Sequence, residues 1–144
     1  MNYIDFFSSM QELYQRALAP VCREYGLSSM ELTILLFLAN NPDYDTAAQI
    51  VRKRHLSKSH VSISIYSLEQ KGLLRKEQRD GNRRSEHLVL CTSSKAMVKA
   101  GLEAQRRFLD KLTDGITQEQ KNEMEHTLQI MGSNVAKAPE EGAK

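Results

Sequence analysis

No apolar run in this chain approaches the ~20 residues that a membrane-spanning helix needs, so no membrane partner is expected. The opening MNYIDFFSSM has no basic flank followed by an apolar core, so no secretory signal peptide is expected. Cysteine is scarce: Cys22 and Cys91 are the two in 144 residues, far apart in sequence. They make no disulfide framework, and a reducing cytoplasm is the simpler location. Also missing are a Gly-rich phosphate loop, a Gly-x-Ser-x-Gly elbow and a His-Glu-x-x-His helix. No catalytic residue is therefore assigned, and enzyme activity is not expected. His55, His60 and His87 raise the question of metal, but the first two are not at i, i+4 and no cysteine or carboxylate clusters with them in sequence. A metal site needs three or four convergent ligands, so no metal ligand and no cofactor is assigned.

What remains is a chain of ordinary globular composition, 40% hydrophobic and 26% charged, without internal repeats or low-complexity linkers. A single domain over residues 1–144 is expected. The net charge of +2 conceals an asymmetry. Residues 52–86 hold ten Lys or Arg against four acids, whereas the rest holds ten against fourteen. A basic segment on a mildly acidic body is the footprint of a localised polyanion site.

Periodicity lays out the helices. Ile4, Phe7, Gln11, Tyr14, Leu18, Val21 and Tyr25 alternate spacings of three and four, which predicts an amphipathic helix ended by Gly26. Pro20 inside it is expected to kink or split it. Ser28 and Glu31 form a capping-box pattern for a helix over 29–39, apolar on the side away from Glu31 and Thr33. Asn40-Asn41-Pro42-Asp43 breaks that helix. After residue 91, Thr92 or Ser93 is expected to cap a long helix to about residue 112, lined by Met97, Gly101, Ala104, Phe108 and Leu112. Thr117, with Gln120 three residues on, starts a last helix with the stripe Met124, Leu128, Met131 and Val135. The tail 137–144 has no periodicity and is expected to be flexible. Terminal helices with surplus apolar surface point to a homodimer, so 1–26 and 92–136 are read as dimerisation helices around a core at 28–91.

Within that core, residues 46–90 carry the functional pattern. A short helix over 46–54, a turn at Leu56 and Ser57, and a second helix over 57–71 stopped by Gly72 come first. Two strands, 73–79 and 86–90, then flank Asp80-Gly81-Asn82-Arg83-Arg84. The expected fold is mainly α, a winged helix-turn-helix with a two-stranded β-wing, the outline of a device that reads double-stranded DNA. The second helix should bury Val61, Ser64, Ile65 and Leu68. That turns Ser57, Lys58, Ser59, His60, Ser62 and Ile63 toward a groove, where hydroxyls and Lys58 can meet phosphates or base edges and Ile63 a thymine methyl. No Arg, Asn or Gln sits on that face for bidentate readout, so DNA shape should carry much of the specificity. In the wing, Arg75 and Arg79 could follow phosphates, and Arg83 and Arg84 suit a narrow minor groove. The alternative is that these arginines pair with Asp80, Glu77 or Glu86.

Leu56-Ser57-Lys58-Ser59-His60-Val61-Ser62, Leu68-Glu69-Gln70-Lys71-Gly72-Leu73-Leu74 and Asn82-Arg83-Arg84 together resemble the MarR family of bacterial transcription regulators. The resemblance covers nearly the whole chain. It departs from the pattern at Asn82, where the family's wing has Asp, at Leu90-Cys91-Thr92, which lacks the usual following Gly, and at Ile63, where relatives often carry a basic residue. It implies a homodimeric regulator, a repressor released by a small-molecule effector, on a pseudo-palindromic operator. Candidate pocket residues are Phe7, Tyr14, Leu18 and Phe37, for which plain core is the competing reading. Two alternatives stay open: a protein-interaction module whose wing binds an acidic partner, and a thiol redox sensor at Cys22, as in peroxide-sensing relatives.

Overall fold

The computed structural model describes residues 1–79, 81 and 85–139. Helix α1 (Tyr3–Tyr25) is capped by the Asn2 side chain, which accepts from the Ile4 and Asp5 amides. It ends at Gly26 in the left-handed conformation, φ 63°. Pro20 neither ends nor splits it: α1 is a single element, at the cost of the one backbone hydrogen bond a proline cannot donate. Its apolar stripe is divided. Leu18 and Val21 are buried and Tyr14 and Tyr25 half-buried, whereas Tyr3, Ile4, Phe6, Phe7 and Leu13 are exposed.

Helix α2 (Ser29–Asn40) is the centre of the core. Leu32 and the whole run Ile34, Leu35, Leu36, Phe37 and Leu38 are buried, so it is apolar nearly all round, the signature of a helix enclosed by others. Glu31 is buried too, at 5% exposure, which corrects the expectation that it marks a solvent-facing side. On α2 pack α1, α4 (Lys58–Gln70) and strand β2 (Glu86–Leu90), while α3 (Ala47–Arg54) and strand β1 (Leu74–Gln78) each pack against α4 and β2. The hairpin is antiparallel, with Leu74 opposite Leu90, Lys76 opposite Leu88 and Gln78 opposite Glu86. Leu73, Leu74 and Leu88 anchor its base in the core beside Ile50, Val61, Ile65 and Leu68.

No side chain caps the helix that follows. A single 3-10 turn, Thr92–Ser94, leads into α5 (Lys95–Leu112) instead. Met97, Gly101, Ala104 and Phe108 are its buried face. Gly101 is a close-approach glycine: a Cβ there would lie 2.7 Å from Leu36 Cδ2.

The chain divides into two compact units, Met1–Phe108 and Leu109–Lys144. The second holds the end of α5, a turn with Gly115 at φ 77°, and α6 (Gln118–Lys137), which Thr117 and Gln120 open with a complete capping box. No residue of α6 is buried, and Met124, Leu128, Ile130, Met131 and Val135 are exposed. The expected tail lies mostly outside the described residues, with α6 reaching Lys137. Among the described residues no helix is long and apolar enough to cross a membrane.

Candidate nucleic-acid interface

Thr46 caps α3 in a reciprocal box with Gln49. His55 ends α3 at φ 52°, the only non-glycine with positive φ among the described residues. Such a residue turns the chain sharply, so α4 starts three residues later with Ser57 as its cap. Val61, Ser64, Ile65 and Leu68 are buried, the four positions expected to face inward. Ser57, Lys58, Ser59, His60, Ser62 and Ile63 are all exposed. The hydroxyl of Ser57 is engaged, accepting from the His60 amide and lying 3.1 Å from Ser59 Oγ. Ile63 is 67% exposed, and Tyr66, one turn further on the same side, is 61% exposed. Tyr66 was not among the residues the sequence reading turned outward, although the buried set Val61, Ser64, Ile65 and Leu68 already places it on that side.

The basic segment is less uniformly available than its count implies. Lys71 donates to Glu31 at 2.8 Å, and Lys76 lies 3.4 Å from Glu86 and 3.9 Å from Glu69. Arg75 contacts Glu77 at 3.5 Å, while Arg79 reaches Asp45 at 3.0 Å and Glu77 at 3.8 Å. Two of the expected wing contacts are thus paired with carboxylates of the same chain. Arg83 and Arg84 lie outside the described residues. Among the described residues Arg52, Lys53, Arg54 and Lys58 pair with no carboxylate, although Lys53 sits over the Tyr44 ring and Arg54 over that of Phe37. These four form a positive edge where α3 hands over to α4. The first three also sit at a helix C-terminus, which favours cations.

Of Phe7, Tyr14, Leu18 and Phe37, the last two belong to one core cluster and Tyr14 packs against it. Leu18 and Phe37 are core, and Phe7 is 41% exposed, tilted against Phe6. Tyr14 packs edge-on against Phe108, accepts a hydrogen bond from Gln105 at 2.7 Å and lines a cleft of about 390 Å³. That cleft runs between α1, α2 and the start of α4. Met30, Leu36 and Leu56 supply apolar walls, and Arg54, His60 and Gln105 polar ones. Burial pushes the Cys22 thiol up from its ordinary value, and its Sγ lies 3.8 Å from the Ser28 carbonyl. A thiol kept protonated is a poor nucleophile. No group of three or more His, Cys, Asp or Glu able to hold a metal occurs among the described residues.

Residues 25–85, the segment that builds α2, α3, α4 and β1, match the family model described as "MarR family". Over this segment the chain is similar to the MarR family. Solved structures extend the fold likeness beyond that segment. A MarR family transcriptional regulator from Silicibacter pomeroyi is similar at 21% identity and TM-score 0.81, over 93% of this chain and 90% of its own. A MarR family regulator from Listeria monocytogenes, solved in complex with a 26mer DNA, is similar at 17% identity and TM-score 0.82, over 94% and 89%. The S. aureus MepR–DNA complex is similar at 20% identity and TM-score 0.74, over 94% and 96%. No curated protein matches in sequence comparison.

The MarR-type signature Leu68-Glu69-Gln70-Lys71-Gly72-Leu73 has a visible physical role here. Leu68 and Leu73 are core, Gly72 turns the chain at φ 70°, and Lys71 donates to the Gly26 carbonyl and both oxygens of Glu31. Burial alone would raise the Glu31 carboxyl. Hydrogen bonds from Lys71, the Ser28 amide and Ser67 outweigh it and hold the group below its ordinary value. The end of the helix-turn-helix is thereby tied to the start of α2. Sequence offered no sign of this, since Glu31 and Lys71 stand forty positions apart.

Proposed function

We propose that this chain is a homodimeric, sequence-specific double-stranded-DNA-binding transcriptional regulator, acting as a repressor released by a small-molecule effector. One observation carries the reading. Lys58, Ser59, Ser62 and Ile63 share the solvent face of a helix whose opposite face is core, next to the unpaired Arg52, Lys53 and Arg54 and beside a two-stranded wing. A helix that is firmly seated, polar at its N-terminal end and flanked by cations without a carboxylate partner is suited to the major groove. The Listeria and S. aureus neighbours, both solved with DNA, support the same assignment. Contacts from Ser57, Lys58, Ser59, His60, Ser62, Ile63 and the wing arginines Arg83 and Arg84 belong to this proposal.

The dimer is proposed from apolar surface the folded chain leaves uncovered, Ile4, Phe6 and Phe7 on α1 and Leu128, Met131 and Val135 on α6. A second copy related by two-fold symmetry is the economical cover. Residues 1–26 and 92–136 then act as dimerisation helices of one functional domain, with 28–91 as its DNA-binding part. The effector is assigned to the cleft lined by Tyr14, Arg54, His60 and Gln105, which suits a small aromatic acid. Filling it would bear on α1 and on the first turn of α4 together, changing the spacing of two recognition helices.

Sedimentation and fluorescence anisotropy on a random duplex test the reading. The expected result is a dimer that binds the duplex at low salt, with affinity falling steeply as salt rises. A monomer, or a chain with no affinity for duplex even at low salt, would overturn it.

A further inference from the structure

A wing works as a lever, because the position of its tip depends on the angle of its base. Here the base is seated by Leu73, Leu74 and Leu88, while Arg75, Lys76 and Gln78 on the first strand and Arg79 just past it are exposed. A two-stranded ribbon has little stiffness of its own. Its lateral support comes from the segment between α2 and α3. Thr46 pairs with His87 as an isolated antiparallel bridge, and the Leu88 amide donates to the Asp45 carbonyl at 2.8 Å. The Asp45 side chain adds two further ties. Its Oδ1 lies 2.6 Å from Nδ1 of His87, on β2. Its Oδ2 accepts from Arg79 Nη1 at 3.0 Å, just past the end of β1.

We propose that Asp45 is the positioning residue of the wing: one carboxylate grips both arms of the hairpin and sets the angle at which it leaves the core. The proposal rests on the DNA-binding reading above. The Asp45 side chain is 18% exposed, so its contacts are only partly screened. Burial alone would raise its carboxyl, but His87 and Arg79 outweigh that and keep it below its ordinary value, hence charged. Attachment and aim are separable here. The leucines and the backbone bond to the Asp45 carbonyl hold the hairpin base without the side chain, whereas the carboxylate ties both arms of the hairpin to the segment before α3. Arg79 is accordingly a strut of the clamp, with its guanidinium turned to Asp45 and Glu77.

The test is a cycle on duplex DNA at fixed salt. Wild type, D45N, H87A, R83A/R84A and D45N/R83A/R84A are compared by anisotropy, each with a thermal melt. If Asp45 acts through the wing, D45N and H87A each bind about tenfold more weakly, the scale of one charge-assisted hydrogen bond. D45N then costs nothing further once the wing-tip arginines are gone. Melting points of D45N and H87A stay within a few degrees of wild type. H87A breaks the clamp from the wing side and decides the matter should D45N disturb the neighbouring α3 cap. Wild-type affinity in both variants overturns the proposal, and so does an equal loss with and without Arg83 and Arg84. If wild type itself binds no duplex, the functional reading falls as well, which separates that failure from failure of the clamp alone.

Discussion

Replacing Glu31 by Gln tests a concentrated set of polar contacts. The carboxylate accepts from the Ser28 amide at 2.9 Å, from Ser67 Oγ at 3.1 Å, and from Lys71 Nζ at 3.1 and 2.8 Å. Gln can keep the acceptor facing Ser28, but its amide nitrogen then confronts the Lys71 ammonium, donor against donor, while the Ser67 hydroxyl can turn to accept. Hydrogen bonds to charged groups contribute about 1.5–3 kcal/mol each. Lys71 is 39% exposed and regains water when its partner is lost, which argues for the low end. The expected cost is about 2 kcal/mol, or about 6 °C in melting temperature for a chain of this size. The pH dependence has a definite sign. Glu31 is depressed on folding, so its contribution is complete above its ordinary value of 4.5 and is lost as pH falls through the lower folded value. Gln does not titrate. The gap between wild type and E31Q in urea unfolding should therefore stay full from neutral pH down to about 4.5 and close as pH falls through the lower folded value. Equal stability at neutral pH, or a gap that persists unchanged in acid, would refute the reasoning.

Further outcomes follow from other contacts. Gly101→Ala should destabilise by about 1 kcal/mol in urea unfolding, because overpacking against buried Leu36 at 2.7 Å outweighs the gain in helix propensity; a stabilised variant would contradict the packing. Lys58→Ala should weaken binding to all duplexes alike and lower the salt slope by about one, whereas a change in sequence preference with an unchanged slope would move Lys58 from phosphate to base. Ile63→Ala should erase the advantage of a thymine-containing site over its deoxyuridine counterpart, if Ile63 meets a methyl group; a preserved advantage would exclude that contact. Cys22→Ser should bind DNA and respond to peroxide as wild type does, since burial keeps the thiol protonated; loss of an oxidant response would restore the redox alternative.

What could be read from the chain was whatever is local. The caps at Ser28 and Thr117, the stop at Gly26 and the buried set Val61, Ser64, Ile65 and Leu68 depend on neighbours three or four residues away, and each was legible. Pairings made by the fold were not. Glu31 was legible only as a capping-box residue and Asp45 carried no reading, because their partners Arg79, His87 and Lys71 lie 34 to 42 positions on. For the same reason the excess of positive charge in 52–86 overstated what is free to meet a polyanion. His55 gave no warning of its left-handed conformation, which a glycine would have signalled.

The central claim is that two copies of this chain read an inverted repeat. Selection from a random duplex pool at several salt concentrations tests it most directly. The account predicts an enriched pseudo-palindrome with half-sites about one helical turn apart, bound with a steep loss of affinity as salt rises. A pool that shows no enrichment, and no binding even at low salt, would contradict it.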